Sequence, residues 1–326
     1  MSLLFLTGAN RPYIAGSAGT SRSIVRADLG SLSWGVKRIE APQAWERTTG
    51  SQDIVVAVID SGIDTTLPQL AEKIWINPGE IKGNRIDDDR NGYIDDIHGW
   101  DFRDNDSSSL IDSKIHWHGT FVAGIIAGVA PGIQIMDLRF LDSKNRFYGS
   151  DWKKFAKAID YAVDNGARII NLSVYANGKP PLILEQALRR AVQHGVIVVG
   201  IVGNDSESQV CYPAKYASVL AVSATDRDNH LADFSNYGTE VSVAAPGEKI
   251  TSLFPGGAVG TSSGTSFSAP HVSGTLALIL SCNPDLSPSQ AVDLLKQTSV
   301  DLGNCGCDPQ FGAGLIDAGQ AVAKVQ

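Results

Sequence analysis

Three short, largely apolar runs set the strongest limit on how this chain folds. They are DIVVAVID (53–60), ARIINLSV (167–174) and VIVVGIV (196–202). Consecutive apolar positions over this length are typical of strands that are covered on both faces, as in a parallel sheet. The sequence therefore predicts a buried sheet that needs a layer of helices on each side.

Helical patterns alternate with these strands. One set of apolar residues recurs at helical spacing, with Gly166 following as a C-cap: Trp152, Phe155, Ala156, Ile159 and Ala162–Val163. LILEQALRRAVQHG (182–195) predicts the next helix, which also ends in a glycine. This alternation predicts an α/β fold in three layers, a central, mostly parallel sheet with helices on both faces.

Two further helices follow near the end of the chain. SAPHVSGTLALILS (268–281) is almost entirely small and apolar, which indicates a central, buried position. The last helix opens with Ser287 as N-cap, Pro288 at the first helical position and Gln290 completing a capping box.

Polar residues stand at the ends of the three predicted strands. They are Asp60, Ser173 and Asn204. Ligands of open parallel sheets bind beyond the carboxyl ends of the strands. We therefore expect the functional site at this edge of the sheet.

Three segments carry the residue types of nucleophilic catalysis. A serine hydroxyl is a weak nucleophile; it needs an imidazole to take its proton and a carboxylate to hold the imidazole in the right tautomer. Asp60, His118 and Ser266 supply these groups, in the segments AVIDSGID (57–64), HGTFVAGIIAG (118–128) and GTSFSAP (264–270). We interpret them as a catalytic acid, base and nucleophile, with Ser266 at the start of the buried helix.

In these segments the chain resembles the subtilisin family of serine peptidases, with the blocks in the family's order, and the resemblance runs from about Trp34 to Ala321. It implies the family's three-layer fold and a serine endopeptidase that acts on proteins or peptides through an acyl-enzyme intermediate. It also implies that Asn204, in the pair Gly203–Asn204, and the backbone N–H of Ser266 bind the oxyanion.

The resemblance places substrate-binding residues along two strand ends. The positions that match are Ser173, Val174, Tyr175, Ile201 and Gly203. Family members usually carry Gly and Ala at the positions of Tyr175 and Ile201, with Cys211 expected near the pocket floor. A shallow pocket that prefers small P1 side chains is the hypothesis; the alternative is that Tyr175 turns to solvent and leaves an ordinary apolar pocket.

An acidic insertion, GNRIDDDRNGYIDDIHGWDF (83–102), predicts a structural calcium site. Its alternating oxygen ligands and sharp-turn glycine suit a hard cation. Position twelve of the EF-hand pattern is His98 instead of Glu, so closure falls to Asp95 or Asp96, of which we prefer Asp96. The proposed ligands are Asp87, Asp89, Asn91, Tyr93 and Asp96. The alternative is an acidic loop that is only solvated.

One family feature is missing. Many members carry a calcium-binding loop inside the helix that follows the catalytic histidine, but here GIIAGVAPG continues without interruption. We therefore do not transfer that calcium site.

Two other function classes remain as alternatives at this stage. A binding or scaffold protein would keep the triad and cleave poorly because of its altered cleft. Another α/β hydrolase, such as an esterase, is disfavoured, because its nucleophile stands in G-x-S-x-G and its order is Ser, acid, His, whereas the order here is Asp, His, Ser.

The domain organisation follows from composition. Residues 1–30 are rich in Gly, Ser, Ala and Thr without periodicity, and we interpret them as an N-terminal extension or the remnant of a pro-region. Residues 31–323 form the peptidase domain. An inhibitory propeptide is a possible partner by family resemblance, but no segment of that length precedes the domain.

Charge and apolar content exclude some partners and leave the compartment open. A formal net charge of −8 argues against nucleic acid, and no apolar run is long enough to insert into a membrane. The family favours secretion or the cell envelope, but the start of the chain is a poor signal peptide. Four irregularly spaced cysteines suit neither a disulfide scaffold nor a zinc site, although a pair involving Cys305 and Cys307 is possible.

Overall fold

The computed structural model describes residues 13–14, 18–23, 33–108 and 115–326. The strands are β1 (Tyr13–Ile14), β2 (Ala18–Ser23), β3 (Val55–Asp60), β4 (Gly99–Asp101), β5 (Gln134–Arg139), β6 (Arg146–Phe147), β7 (Ile169–Leu172), β8 (Ile197–Ile201), β9 (Leu220–Thr225), β10 (Val241–Pro246), β11 (Ile250–Leu253) and β12 (Val259–Ser263). The helices are α1 (Trp34–Arg38), α2 (Ala41–Ala44), α3 (Trp117–Val129), α4 (Trp152–Asp164), α5 (Leu182–Gln193), α6 (Ser268–Cys282), α7 (Pro288–Gln297) and α8 (Ala318–Ala323).

Seven strands form the central sheet, in the order β10-β9-β8-β7-β3-β5-β4. Every neighbouring pair within it is parallel. The predicted α/β fold with a three-layer architecture is confirmed, because helices cover both faces of this sheet.

Alternate residues of each central strand face different helical layers. In β3, Val56 and Val58 belong to the core shared with α3 and α6. Ala57 and Ile59 belong to the core shared with α4 and α5. The continuous apolar run of β3 is thus explained by burial on both sides.

The predicted helix signals are confirmed in detail. Ser287 accepts a hydrogen bond from the N–H of Gln290 at 3.3 Å, and the Gln290 side chain accepts from the N–H of Ser287 at 2.9 Å. Gly166 and Gly195 follow α4 and α5 with φ of 76° and 82°, the left-handed conformation of a C-cap. Helix α3 is continuous from Trp117 to Val129.

The N-terminal segment adds short strands to the domain. Strand β1 pairs antiparallel with β6, and β2 pairs antiparallel with β12, the second strand of the β11–β12 hairpin. Ala18 is the partner of Ser263, three residues before Ser266. The predicted extension covers residues 1–30, and its other residues, 1–12, 15–17 and 24–30, lie outside the described part of the chain. In the part of the chain that the structure describes, no helix combines the length and the apolar character needed to cross a bilayer.

Candidate active site and cation-binding insertion

Asp60 and His118 are brought together by two elements of the domain. Asp60 is the last residue of β3 and His118 the second residue of α3. The Nδ1 of His118 lies 2.8 Å from Oδ1 and 3.0 Å from Oδ2 of Asp60, and Asp60 Oδ1 also accepts the N–H of Ser61 at 2.7 Å. Both side chains are buried. A carboxylate so placed fixes the imidazole and leaves its other nitrogen, Nε2, to work as a base.

The approach of these two segments requires a glycine after the histidine. A Cβ on Gly119 would lie 2.5 Å from the carbonyl oxygen of Gly62. The N–H of Gly119 donates to the hydroxyl of Ser61 at 3.0 Å. The Gly in the HGT segment therefore allows β3 and α3 to meet closely enough for the His118–Asp60 contact.

Ser266 lies in a tight turn, Thr265–Phe267, that leads into α6. The prediction that Ser266 starts the α-helix was wrong by two residues: the helix begins at Ser268 because the turn first closes in a tighter, 3₁₀ geometry. Ser266 is fully buried, and its hydroxyl donates to the carbonyl of Ser173 at 3.3 Å. The Ser173 hydroxyl donates in return to the Ser266 carbonyl at 2.8 Å.

The neighbours of Ser266 connect it to the other site residues. The ring of Phe267 lies 5.6 Å from the ring of His118. On the other side, the N–H and hydroxyl of Thr265 donate to Oδ1 of Asn204 at 2.8 and 2.9 Å. Both bonds end on the oxygen of the Asn204 side-chain amide, so the NH₂ group of that amide points away from Thr265. The turn that carries Ser266 thus joins the histidine to the asparagine.

Two of the five expected substrate-binding residues, Ser173 and Gly203, form hydrogen bonds with this turn. Ser173, Val174, Ile201 and Gly203 are buried, and Tyr175 is half-buried. Ile201 lies in the core on the α6 side of the sheet, with no exposed surface.

Tyr175 reaches across from the end of β7 toward the loop after β8. Its hydroxyl donates to Oδ1 of Asp205 at 3.3 Å. Burial raises the pKa of Tyr175, and the charge of Asp205 adds to that effect. Sequence reasoning missed Asp205, whose only signal was its position directly after Asn204.

Cys211, which the sequence predicts near the pocket floor, lies against Gly203. A Cβ on Gly203 would meet the Cys211 sulfur at 2.7 Å, and Gly203 has a φ of 114°. The thiol also contacts the Asn177 side-chain oxygen at 3.2 Å. A residue larger than glycine at position 203 has neither the space nor the backbone conformation that it needs.

His271 is placed in helix α6 away from this chemistry. It is fully buried, and its Nδ1 lies 2.7 Å from the carbonyl of Phe267. Burial lowers the pKa of His271 to about 4, so the ring is neutral. This environment is that of a packing residue in the helix.

The acidic insertion gathers carboxylates around one point. Oxygens of Glu80, Asp87 and Asp89 all lie within 4.8 Å of one another. Asp87 also accepts the N–H groups of Asn91 and Gly92 at 3.0 and 2.9 Å. Glu80 was missed at the sequence level, because it stands outside the alternating pattern.

Asp95 and Asp96, the two candidates for completing the predicted calcium site, have different surroundings. Asp95 accepts the N–H groups of Gly83 and Arg85 at 2.6 and 2.9 Å and so holds a turn. Asp96 is fully buried and accepts from the side chain of Asn91 at 2.9 Å.

Every side chain that donates a described hydrogen bond to Asp96 is neutral. They belong to Asn77, Asn91 and Tyr161. Burial raises the pKa of Asp96 because its negative charge is poorly compensated.

The Tyr93 ring packs against Trp100 and Tyr161, and the Tyr93 N–H donates to Asn91 Oδ1 at 2.8 Å.

Comparison with known proteins identifies relatives across almost the whole domain. Residues 51–314 match the model of the subtilase family. The chain is 34% identical to subtilisin BL of Lederbergia lenta over 297 residues, which cover 88% of this chain and 97% of that protein. It is 33% identical to thermitase of Thermoactinomyces vulgaris over 303 residues, which cover 90% of this chain and 96% of the relative.

Proposed function

The chain belongs to the subtilase family and is a serine endopeptidase, and we propose on that premise that Asp60, His118 and Ser266 are its catalytic triad. The observation that supports this assignment best is the His118–Asp60 contact of 2.8 Å beside the turn that carries Ser266. Asn204, held through its oxygen by Thr265, is the proposed side-chain donor of the oxyanion hole.

Each residue has a definite role in this mechanism. His118 donates Nδ1–H to Asp60, so Nε2 takes the proton of the Ser266 hydroxyl as that oxygen attacks the peptide carbonyl. The Asn204 amide and the Ser266 N–H stabilise the oxyanion of the tetrahedral intermediate. His118 then returns the proton to the leaving amine, and water hydrolyses the acyl-enzyme by the same steps.

Covalent labelling tests whether these parts work together. We expect a fluorophosphonate to modify Ser266, because the probe needs both an activated hydroxyl and an oxyanion hole. His118→Ala should lose the label while keeping Ser266. Equal labelling of the wild type and His118→Ala would contradict the role of the base.

We propose further that the acidic insertion binds structural Ca²⁺. Asp87 and Asp89, together with Glu80, offer carboxylates of the kind that hard cations prefer, and Asn91 and a backbone carbonyl at Tyr93 complete the proposed ligand set. Asp96 closes the site through Asn91, and a nearby cation compensates its buried charge. The support is the convergence of these oxygens and the absence of a charged donor among the described partners of Asp96.

Calcium should therefore stabilise the folded protein. Binding to the folded state alone contributes about 2.7 kcal/mol at a hundredfold excess over Kd. We expect Asp87→Ala or Asp89→Ala to remove most of the rise in Tm that calcium produces, measured by calorimetry with and without chelator. Asp88→Ala is the matched control: Asp88 accepts from Ile81 and Asn84 within the same insertion, so its loss should lower Tm equally in both conditions. A wild-type Tm that is independent of calcium would refute the site.

The N-terminal extension is proposed to limit access to the cleft. Ala18, the first residue of β2, pairs with Ser263, so this strand lies beside the segment that leads into the turn of Ser266. We expect deletion of residues 1–23 to raise kcat/KM severalfold on a short peptide substrate. Deletion of residues 1–12 is the control, because it keeps both strands. No gain in the longer deletion, at unchanged Tm, would show that the extension leaves the cleft open.

A further inference from the structure

Two cysteines of the chain differ sharply from the other two. Cys211 is buried and Cys282 half-buried, and burial raises the pKa of both thiols, that of Cys211 to about 12. Cys305 and Cys307 are exposed free thiols on either side of Gly306. Reaction requires access to the sulfur atom, so exposure concentrates thiol chemistry at the second pair.

Cys305 and Cys307 are separated by a single residue in a loop that bends throughout. Two residues of fully extended chain span at most about 7 Å, and the chain bends at every residue from 303 to 307, which shortens the distance. Disulfides join Cα atoms about 4.4 to 6.8 Å apart. Gly306 has a φ of 87°, and no atom beyond its two chain neighbours lies within 4 Å of where its Cβ would be, so no other part of the protein packs on this side of the loop.

Carboxylates hold the loop on both sides of the pair. Asp301 accepts the N–H of Gly306 at 2.9 Å. Asp308 accepts the N–H groups of Asn304, Gln310 and Phe311 at 3.0, 2.7 and 2.9 Å. The two cysteines therefore lie on a short loop segment whose two ends are held by hydrogen bonds.

We propose that Cys305 and Cys307 form a reversible dithiol–disulfide site that reacts with small-molecule disulfides such as oxidised glutathione. One thiolate attacks a sulfur of the reagent, releases one thiolate and forms a mixed disulfide. The second cysteine then attacks the protein sulfur of that bond and releases the second thiolate. The two cysteines are oxidised, losing two electrons and two protons, and the reagent is reduced to two thiols.

So short a closed loop restricts the unfolded chain little, since the stabilisation by a disulfide grows with the length of the loop. A disulfide at this site is therefore suited to thiol–disulfide exchange and would contribute little to the stability of the fold. Its described anchors, such as the hydrogen bond from Gly238 N–H to the Pro309 carbonyl, do not involve the triad. Oxidation should leave peptide hydrolysis unchanged, so this inference stands or falls independently of the proposed triad.

Mass spectrometry of the whole folded protein tests the site. After incubation with oxidised glutathione and alkylation, we expect the wild type to lose two hydrogen atoms, to yield one peptide with Cys305 and Cys307 linked, and to release two glutathione thiols per chain. Dithiothreitol should reverse the change. Cys305→Ser and Cys307→Ser are matched controls, each expected to stop at the mixed disulfide with glutathione.

Three results would overturn the proposal. They are stable glutathione adducts on both cysteines of the wild type, a bond from either cysteine to Cys211 or Cys282, and no reaction under conditions in which the single variants form adducts. The double variant Cys305→Ser/Cys307→Ser, which should react with nothing and keep wild-type kcat, verifies that the readout comes from this pair.

Discussion

Ser266→Ala is expected to abolish peptide hydrolysis while the protein stays folded. The hydroxyl that we propose as the nucleophile is lost, and the other hydroxyl of the turn Thr265–Phe267, that of Thr265, is bonded to Asn204. Loss of the triad serine in a subtilisin lowers kcat by about 10⁶-fold, and we adopt that magnitude for this relative. His118→Ala should fall to a similar residual rate, because triad members act as a unit.

Steady-state kinetics and calorimetry together check this result. Ser268→Ala is the matched control: Ser268 is equally buried, two residues further on at the start of α6, and is assigned no chemical role. It should keep a kcat near that of the wild type. If purified Ser266→Ala cleaved peptides at the wild-type rate, the assignment of the nucleophile would be wrong.

The parts of the fold that could be predicted are those whose local pattern agrees with their tertiary environment. Strand β3 is apolar at every position before Asp60, and it is covered on both faces. The start of α7 combines three local signals at Ser287, Pro288 and Gln290. In such segments the residues themselves specify the structure, whatever lies around them.

Other elements depend on partners that are distant in sequence. Strand β5 contains Asp137 and Arg139, which read as surface residues, yet both are buried. Asp137 accepts the N–H of Ile63 at 3.2 Å, and Arg139 pairs with Asp101 and Asp104. Because these charges are compensated only in the folded chain, periodicity alone did not reveal the strand.

The same distinction applies to the candidate sites. The proposed triad residues are recognisable because each lies in a short block close to a glycine. Glu80 reaches the acidic cluster from seven residues before Asp87, and Asp205 meets Tyr175 from thirty residues away. Contacts of this kind arise from the paths of loops, which residue spacing does not encode.

The wild-type enzyme is expected to prefer a small P1 side chain. Tyr175 is half-buried with its hydroxyl on Asp205, and the Cys211 sulfur occupies the space beside Gly203. An overpacked site costs about 1–3 kcal/mol to open, and a mismatch of one methylene changes discrimination by about 10- to 200-fold. We therefore expect kcat/KM to be at least about tenfold higher for Ala than for Phe at P1, in peptides that are otherwise identical.

Variants at Tyr175 separate the volume of the ring from its hydrogen bond. Tyr175→Gly should reverse the preference toward Phe, because it removes the ring from the cleft. Tyr175→Phe keeps the ring and loses the bond to Asp205, so it should retain most of the preference for Ala if volume dominates. Asp205→Asn is its matched partner, since it keeps the geometry of the contact and removes the charge.

Ile201 is the less informative position to change, although the sequence places it in the same pocket wall. Its side chain is fully buried in the core on the α6 side, so Ile201→Ala would cost about 2–5 kcal/mol of stability and confuse specificity with unfolding. The test therefore rests on Tyr175. A wild type that cleaves after Phe faster than after Ala would refute the small-pocket hypothesis and show that Tyr175 turns away from the cleft when substrate binds.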